Sequence, residues 1–217
     1  TYINDSEFKA YLGLLLSVVI ISGLALMTNS SENFEGVSFS QMFFQVVSIG
    51  TTTGYTSSGY GVWPIFIPFL LLLLSFVGGS VGSTGGGLKV ARCLILFKQG
   101  LREAKRLIHP SAEIVVKINQ KGVDQRILDS VWGFMSAYIG ILVVFTLIML
   151  ACGLNELTAF SAVAASLNNL GPGLGDVFVN YADLGSLPKW VCISAMVLGR
   201  LEIFALLVLF TPAFWQD

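Results

Sequence analysis

The sequence predicts an all-α membrane protein built from two parallel repeats, each ordered span, half-helix, loop, span. Three observations carry this. Hydrophobic residues fill 54% of the 217 positions and charged residues only 12%, about half the charge of an average soluble domain and too little to cover a water-facing surface. Gly36–Leu88 runs for 53 residues without a charge, too long for one span of about 20 residues. An offset of 117 places Gly54 on Gly171, Phe43 on Phe160 and Val46 on Val163, so the second half repeats the plan of the first.

Taken in order, Phe8–Thr28 has the length and apolarity of a span. Val37–Ile49 is a short apolar helix that does not cross, because apolar stretches of about 10–14 residues read as re-entrant segments. The Gly/Thr/Ser/Tyr stretch Gly50–Gly61 is not ordinary helix. Trp63–Gln99 reads as a long span with a glycine break inside it. Arg126–Cys152 holds the next span. Leu157–Asn168 is a second short apolar helix, followed by Leu170-Gly171-Pro172-Gly173-Leu174-Gly175, and Trp190–Phe210 is a span with Arg200 in its middle. Non-helical backbone at membrane depth is tolerated only inside protein or beside a water-filled cavity.

Charge sets the orientation. Nine of the twelve Lys/Arg lie between Lys89 and Arg126, against Glu103, Glu113 and Asp124. The other connecting segments carry Glu32, Glu35, Glu156, Asp176 and Asp183 with Lys189. By the positive-inside rule, residues 100–125 are cytoplasmic. Both termini then lie inside, and both half-helices enter from outside. The basic stretch Lys98–Arg126, helical to Ile108 and broken at Pro110, is either a positive-inside anchor or a docking surface. A net charge of −1 argues against nucleic acid as a partner. Cys93, Cys152 and Cys192 stand far apart and His109 is the sole histidine, so neither a zinc site nor a disulfide scaffold is expected. The chain opens on Thr1-Tyr2-Ile3, which predicts a piece of a longer polypeptide.

A half-helix whose C-terminus ends at mid-membrane turns a negative dipole end inward and favours a cation there. The loop that follows presents carbonyl oxygens, and stacks of such carbonyls replace the hydration shell of K⁺ in channel filters. Glycine admits the left-handed backbone that aims carbonyls to one side. Thr51-Thr52-Thr53-Gly54-Tyr55 is close to the Thr-Val-Gly-Tyr type of filter. Thr52, Thr53, Gly54 and Tyr55 meet Asn169, Leu170, Gly171 and Pro172 across the offset. The bland alternative is a pair of packing turns.

Four stretches together resemble the C-terminal half of a TrkH-type subunit of the Trk/Ktr/HKT potassium transporter superfamily. They are Thr51-Thr52-Thr53-Gly54-Tyr55-Thr56, Gly82-Ser83-Thr84-Gly85-Gly86-Gly87-Leu88-Lys89, Ser166-Leu167-Asn168-Asn169-Leu170-Gly171-Pro172-Gly173 and Gly199-Arg200-Leu201-Glu202. They span nearly the whole chain in the family order. The resemblance implies a pseudo-fourfold, K⁺-channel-like pore formed by four repeats of one polypeptide. Residues 1–122 would be the third repeat plus a cytoplasmic basic segment, residues 123–217 the fourth, and the first two repeats would be missing from this chain. It implies K⁺ as the transported ion, bound by the backbone carbonyls of Thr52, Thr53, Asn169 and Leu170, with weaker selectivity over Na⁺ than a fourfold-identical filter. It implies a bacterial cytoplasmic membrane, a homodimer, and a cytosolic ring of TrkA-type nucleotide-binding subunits. With no nucleotide motif here, no organic cofactor is expected in this chain.

Two elements read as a gate. Gly78, Gly79, Ser80, Gly82, Ser83, Thr84, Gly85, Gly86 and Gly87 place six glycines in ten residues, each costing about 1 kcal/mol against alanine in a helix, so the segment unwinds. The alternative is close helix packing through Gly78 and Gly82. In the family, this segment is an intramembrane loop obstructing the ion path. Arg200 follows Gly171 by 29 residues, as Ser83 follows Gly54, which sets both at similar depth below the filter. An arginine at mid-span costs about 2.5–3.5 kcal/mol on insertion scales, so it faces water, protein or a partner. It acts either as a positive barrier or as a structural ion pair. A cation-coupled secondary transporter with alternating access is the rival reading, with Glu202 as the one acid near a span centre. An enzyme is not expected, because no nucleophile–base pair or metal cluster is present.

Overall fold

The computed structural model describes residues 5–28, 38–57, 59–109, 114–119, 121–201 and 215. Helix α1, Ser6–Thr28, and helix α5, Gln125–Ala151, are long and apolar enough to cross a membrane. Their flanks present Ile20, Leu24, Met27, Val144 and Leu147 outward, as a lipid-facing surface does. Between and after them stand the half-helices α2, Phe39–Gly50, and α6, Glu156–Leu167. Both are twelve residues long and they lie 117 positions apart at each end.

The caps explain those limits. Ser38 forms a capping box with Gln41, and Asn155 accepts from the Leu157 N–H at 3.1 Å. Each supplies a polar partner to N–H groups that the helix itself leaves open. The half-helices therefore start one residue before Leu157 and, in the first half, at Phe39; Val37 is outside the described residues.

The broken span resolves into helix α3, Phe66–Val77, a non-helical segment over 78–89, and helix α4, Val90–Ile108. Helix α7, Ser186–Arg200, begins four residues before Trp190, with Pro188 in its first turn, where proline is tolerated. Residues 202–210 of the expected last span, Glu202, Glu32, Glu35, Pro110, Glu113 and the terminal residues lie outside the described part.

One expectation needs correction. The chain is not wholly α: strands β1, Lys117–Ile118, and β2, Lys121–Gly122, pair antiparallel. Asn119 turns the chain with a left-handed φ of 47°, and the Val123 N–H bonds Val116 O at 2.9 Å. The basic composition of this stretch conceals the hairpin. Its turn is tied to the start of α1: the Ser6 N–H donates to Asn119 Oδ1 at 2.8 Å, and Asn119 Nδ2 donates to Asp5 at 3.1 Å. The Asn119 amide and the Glu7 N–H hold the Asp5 carboxyl below its ordinary range.

The core joins the two halves. Val46, Ile49, Leu71 and Leu72 pack in one cluster with Ala164, Ala165, Leu170 and Leu174. Helix α6 is the most enclosed element, with nine of its twelve residues buried, and small side chains (Ala159, Ala162, Ala164, Ala165) let α3, α5 and α7 close around it. The start of α6 is exposed at Asn155 and Glu156, and the cap there fixes where the helix enters the core. Asn155→Ala is expected to lower stability by about 1 kcal/mol, read as a lower thermal unfolding midpoint in detergent, while Asn155→Asp keeps the cap and the midpoint.

Candidate functional site: two carbonyl loops above a glycine segment

Both half-helices run straight into the predicted filter residues, with matched backbone geometry. The Thr52 N–H bonds Ile49 O at 3.0 Å and the Thr53 N–H bonds Ser48 O at 2.8 Å. At the same offset, the Asn169 N–H bonds Ser166 O at 3.0 Å and the Leu170 N–H bonds Ala165 O at 2.9 Å. Thr52 (φ 55°) and Asn169 (φ 51°) adopt left-handed backbone, as do Gly54 (φ 79°) and Gly171 (φ 105°). Two left-handed residues separated by one swing the chain out of the helix and into a loop. Glycine suits the second because it has no Cβ to clash.

The N–H groups of both turns are used, and the carbonyls are left open. Among the described residues, no hydrogen bond is donated to the carbonyls of Thr52, Thr53, Asn169 or Leu170. Further along each loop one carbonyl is held: Ser48 Oγ donates to Tyr55 O at 2.7 Å, and Tyr181 OH donates to Gly171 O at 2.9 Å. The Tyr55 side chain is exposed, and Pro172 borders Gly54. The loops abut, since a Cβ on Gly54 would collide with Leu170 O.

The glycine segment lies at the inner end of these loops. The Gly86 N–H donates to Thr52 Oγ1 at 3.1 Å, and a Cβ on Gly86 would collide with the Asn168 carbonyl. Gly85 faces the same Thr52 hydroxyl. The predicted gate residues divide in two. Gly82, Ser83, Thr84, Gly85, Gly87 and Arg200 line a cavity of about 320 Å³. Gly78, Gly79 and Gly86 are buried in packing, with Gly78 pressed on the Gly86 carbonyl, and Ser80 lies outside that lining.

Arg200 comes to the segment directly, its Nη1 donating to Thr84 O. Lys89 does the same from the other side, its Nζ donating to Ser83 O at 2.8 Å, Ser83 Oγ at 3.3 Å and Gly85 O. Arg92 sits over the Phe134 ring, 4.3 Å from its centroid. A second cavity, about 450 Å³, opens at the other end of the loops beside Gly54, Gly171 and Pro172.

Two residues at this site carry no role in the sequence reading. Lys89 is one. Asn168 is the other: it is fully buried, accepts from Tyr138 OH, and donates through Nδ2 to Ser75 Oγ at 2.8 Å. It thereby ties the inner end of the loop after α6 to α5 and α3. The only signal was an asparagine pair where the matching positions hold Thr51 and Thr52.

Half-helices that present open carbonyls inside an apolar body, beside helices of membrane-crossing length, define a membrane protein of the cation-transport class. The chain belongs to the TrkH family of cation transport proteins, whose family model matches residues 15–217. It is 48% identical over 216 residues to the Trk system potassium uptake protein TrkH of Salmonella typhimurium, covering all of this chain and 45% of that protein. To the Trk system potassium uptake protein TrkG of Escherichia coli it is 38% identical over 215 residues, covering 99% of this chain and 44% of that protein. The crystal structure of the potassium transporter TrkH from Vibrio parahaemolyticus superposes with a TM-score of 0.90 at 49% identity, over 99% of this chain and 46% of that chain. The chain thus spans less than half the length of these relatives.

The contact of Gly86 with the loop above is open to test. Gly86→Ala is expected to lower stability by about 1–3 kcal/mol, the cost of overpacking, because backbone on both sides must shift. Gly100→Ala, on α4 with open space around it, is expected to raise the thermal midpoint, by about 0.5–1 kcal/mol in helix propensity.

Proposed function

We propose that the full-length protein carrying this chain takes up K⁺ across the bacterial cytoplasmic membrane through a channel-like filter. Residues 1–122 serve as the third and residues 123–217 as the fourth of four parallel pore repeats, and the first two repeats supply the remaining carbonyls. K⁺ is the cargo, held by the backbone carbonyls of Thr52, Thr53, Asn169 and Leu170. The observation that carries the reading is the open state of those four carbonyls at the ends of two half-helices in matched register. A negative dipole end and bare carbonyls are what a desolvated cation needs. The potassium uptake named for the relatives points the same way.

The glycine segment and Arg200 form the gate in this reading. The segment obstructs the inner end of the loops, and the guanidinium adds a positive barrier. The basic face around Lys98–Arg126 is cytoplasmic, as are both termini, and receives a nucleotide-binding TrkA-type ring. The whole protein acts as a homodimer.

The test is Rb⁺ uptake into liposomes containing the full-length protein, with K⁺ and Na⁺ as competitors. Competition by K⁺ and little by Na⁺ is expected. Equal competition removes the filter role, and uptake that requires a H⁺ or Na⁺ gradient favours the coupled symporter. Gly54→Ser is expected to lower K⁺/Na⁺ discrimination by about tenfold. A Cβ at Gly54 would collide with Leu170 O and displace a liganding carbonyl, and a loss of about 1.4 kcal/mol in differential binding is a factor of ten. Arg200→Ala is expected to raise uptake, since removing a fixed positive charge removes its repulsion of a passing cation. Reduced uptake in a folded Arg200→Ala protein would assign Arg200 to structure.

A further inference from the structure

Lys89 breaks two local rules at once. Its backbone is left-handed, with φ 72°, a region that costs a residue with a Cβ about 1–2 kcal/mol. It also occupies the N-cap of α4 with no side-chain cap bond, where serine, threonine, aspartate and asparagine are preferred. A cation there faces the positive end of the helix dipole. Neither feature helps α4. Such departures persist where the surroundings over-determine them, and they gather at switch regions.

What holds Lys89 there is the glycine segment. The ammonium lies against Ser83 O at 2.8 Å, Ser83 Oγ at 3.3 Å and Gly85 O. The Ser83 N–H closes a turn on Ser80 O at 3.0 Å, which gathers these acceptors on one side. Arg200 takes Thr84 O between them. Three consecutive carbonyls therefore all face side-chain cations. A cluster of oxygens of this kind also suits a desolvated K⁺, a monovalent cation of similar size to an ammonium.

We propose that Lys89 is a positioning residue of the gate. Its ammonium is a tethered cation that fills a carbonyl cage in the glycine segment, and so holds the segment in its blocking shape against the inner end of the filter. This rests on the conduction reading above. The lysine keeps the cage closed from within, while Arg200 secures the same turn from α7.

The experiment uses the full-length protein in liposomes, with Rb⁺ uptake as the readout and no cytosolic partner present. Lys89→Met is expected to raise uptake by about tenfold, the scale of one lost charge-assisted hydrogen bond, with K⁺ still competing. Lys89→Cys is expected to behave likewise. Attaching an aminoethyl group to it, which restores an ammonium, returns uptake toward the wild-type rate, and attaching a neutral ethyl group does not. Wild-type protein given both reagents sets the background from Cys93, Cys152 and Cys192.

Uptake at or below the wild-type rate in variants with a wild-type chromatographic profile overturns the proposal. Equal effects of the charged and neutral groups overturn it as well, and so does failure of both variants to fold, which assigns Lys89 to stability. Competition in the wild-type protein separates the two readings. If K⁺ competes there and Lys89→Met changes nothing, only the lysine's role falls; if K⁺ does not compete, the conduction reading itself falls.

Discussion

A helix that stops inside an apolar body leaves its last carbonyls without helical partners, and in a membrane there is no water to take them. The architecture around α2 and α6 answers this constraint. Each half-helix closes with N–H groups from a left-handed turn, at Thr52 and at Asn169. That arrangement consumes donors and leaves the next carbonyls bare. The same geometry that terminates the helix therefore leaves an end rich in unpaired carbonyl oxygens, and the two are one structural event.

Close approach follows from that event. To bring two such loops together above a third strand of irregular chain, backbone must meet backbone without side chains between. Gly54 meets Leu170 O, Gly86 meets the Asn168 carbonyl, and Gly199 meets Leu167 O. Each is a glycine because a Cβ has nowhere to go. The alanines of α6 extend the same economy of volume along the helix. Three polar side chains buried near them, Ser75, Asn168 and Tyr138, form one chain of hydrogen bonds linking α3, the C-cap of α6 and α5. Removing one member would strand its neighbour in an apolar setting.

Much of this was legible in the residues. The 117-residue offset, the two short apolar stretches and the glycines that end them are one-dimensional signals of length and polarity, and the helices follow them closely. The breakdown of helix over the glycine run was also legible, since six glycines outweigh the flanking leucines. What stayed hidden were contacts that depend on three-dimensional approach. Nothing in the composition announces that Lys89 turns back on Ser83 and Gly85, or that Asn168 reaches Ser75 from 93 positions away. The hairpin at Lys117–Gly122 was hidden for a different reason. Two residues per strand are too few for an alternation to register, and the decisive feature is a single left-handed asparagine. Arg200 stood between, since its cost inside a span demanded a partner, and the partner is a backbone carbonyl of the other half.

The first turn of α1 is grasped at both ends of three consecutive residues. Asp5 and Ser6 hold the hairpin turn at Asn119, and the Glu7 carboxylate takes the Val81 N–H of the glycine segment at 2.8 Å. The small hairpin and the glycine segment are therefore both tied to the start of one helix. The first turn of α1 is thus a short tie between the basic hairpin and the glycine segment, rather than only the start of a lipid-facing helix.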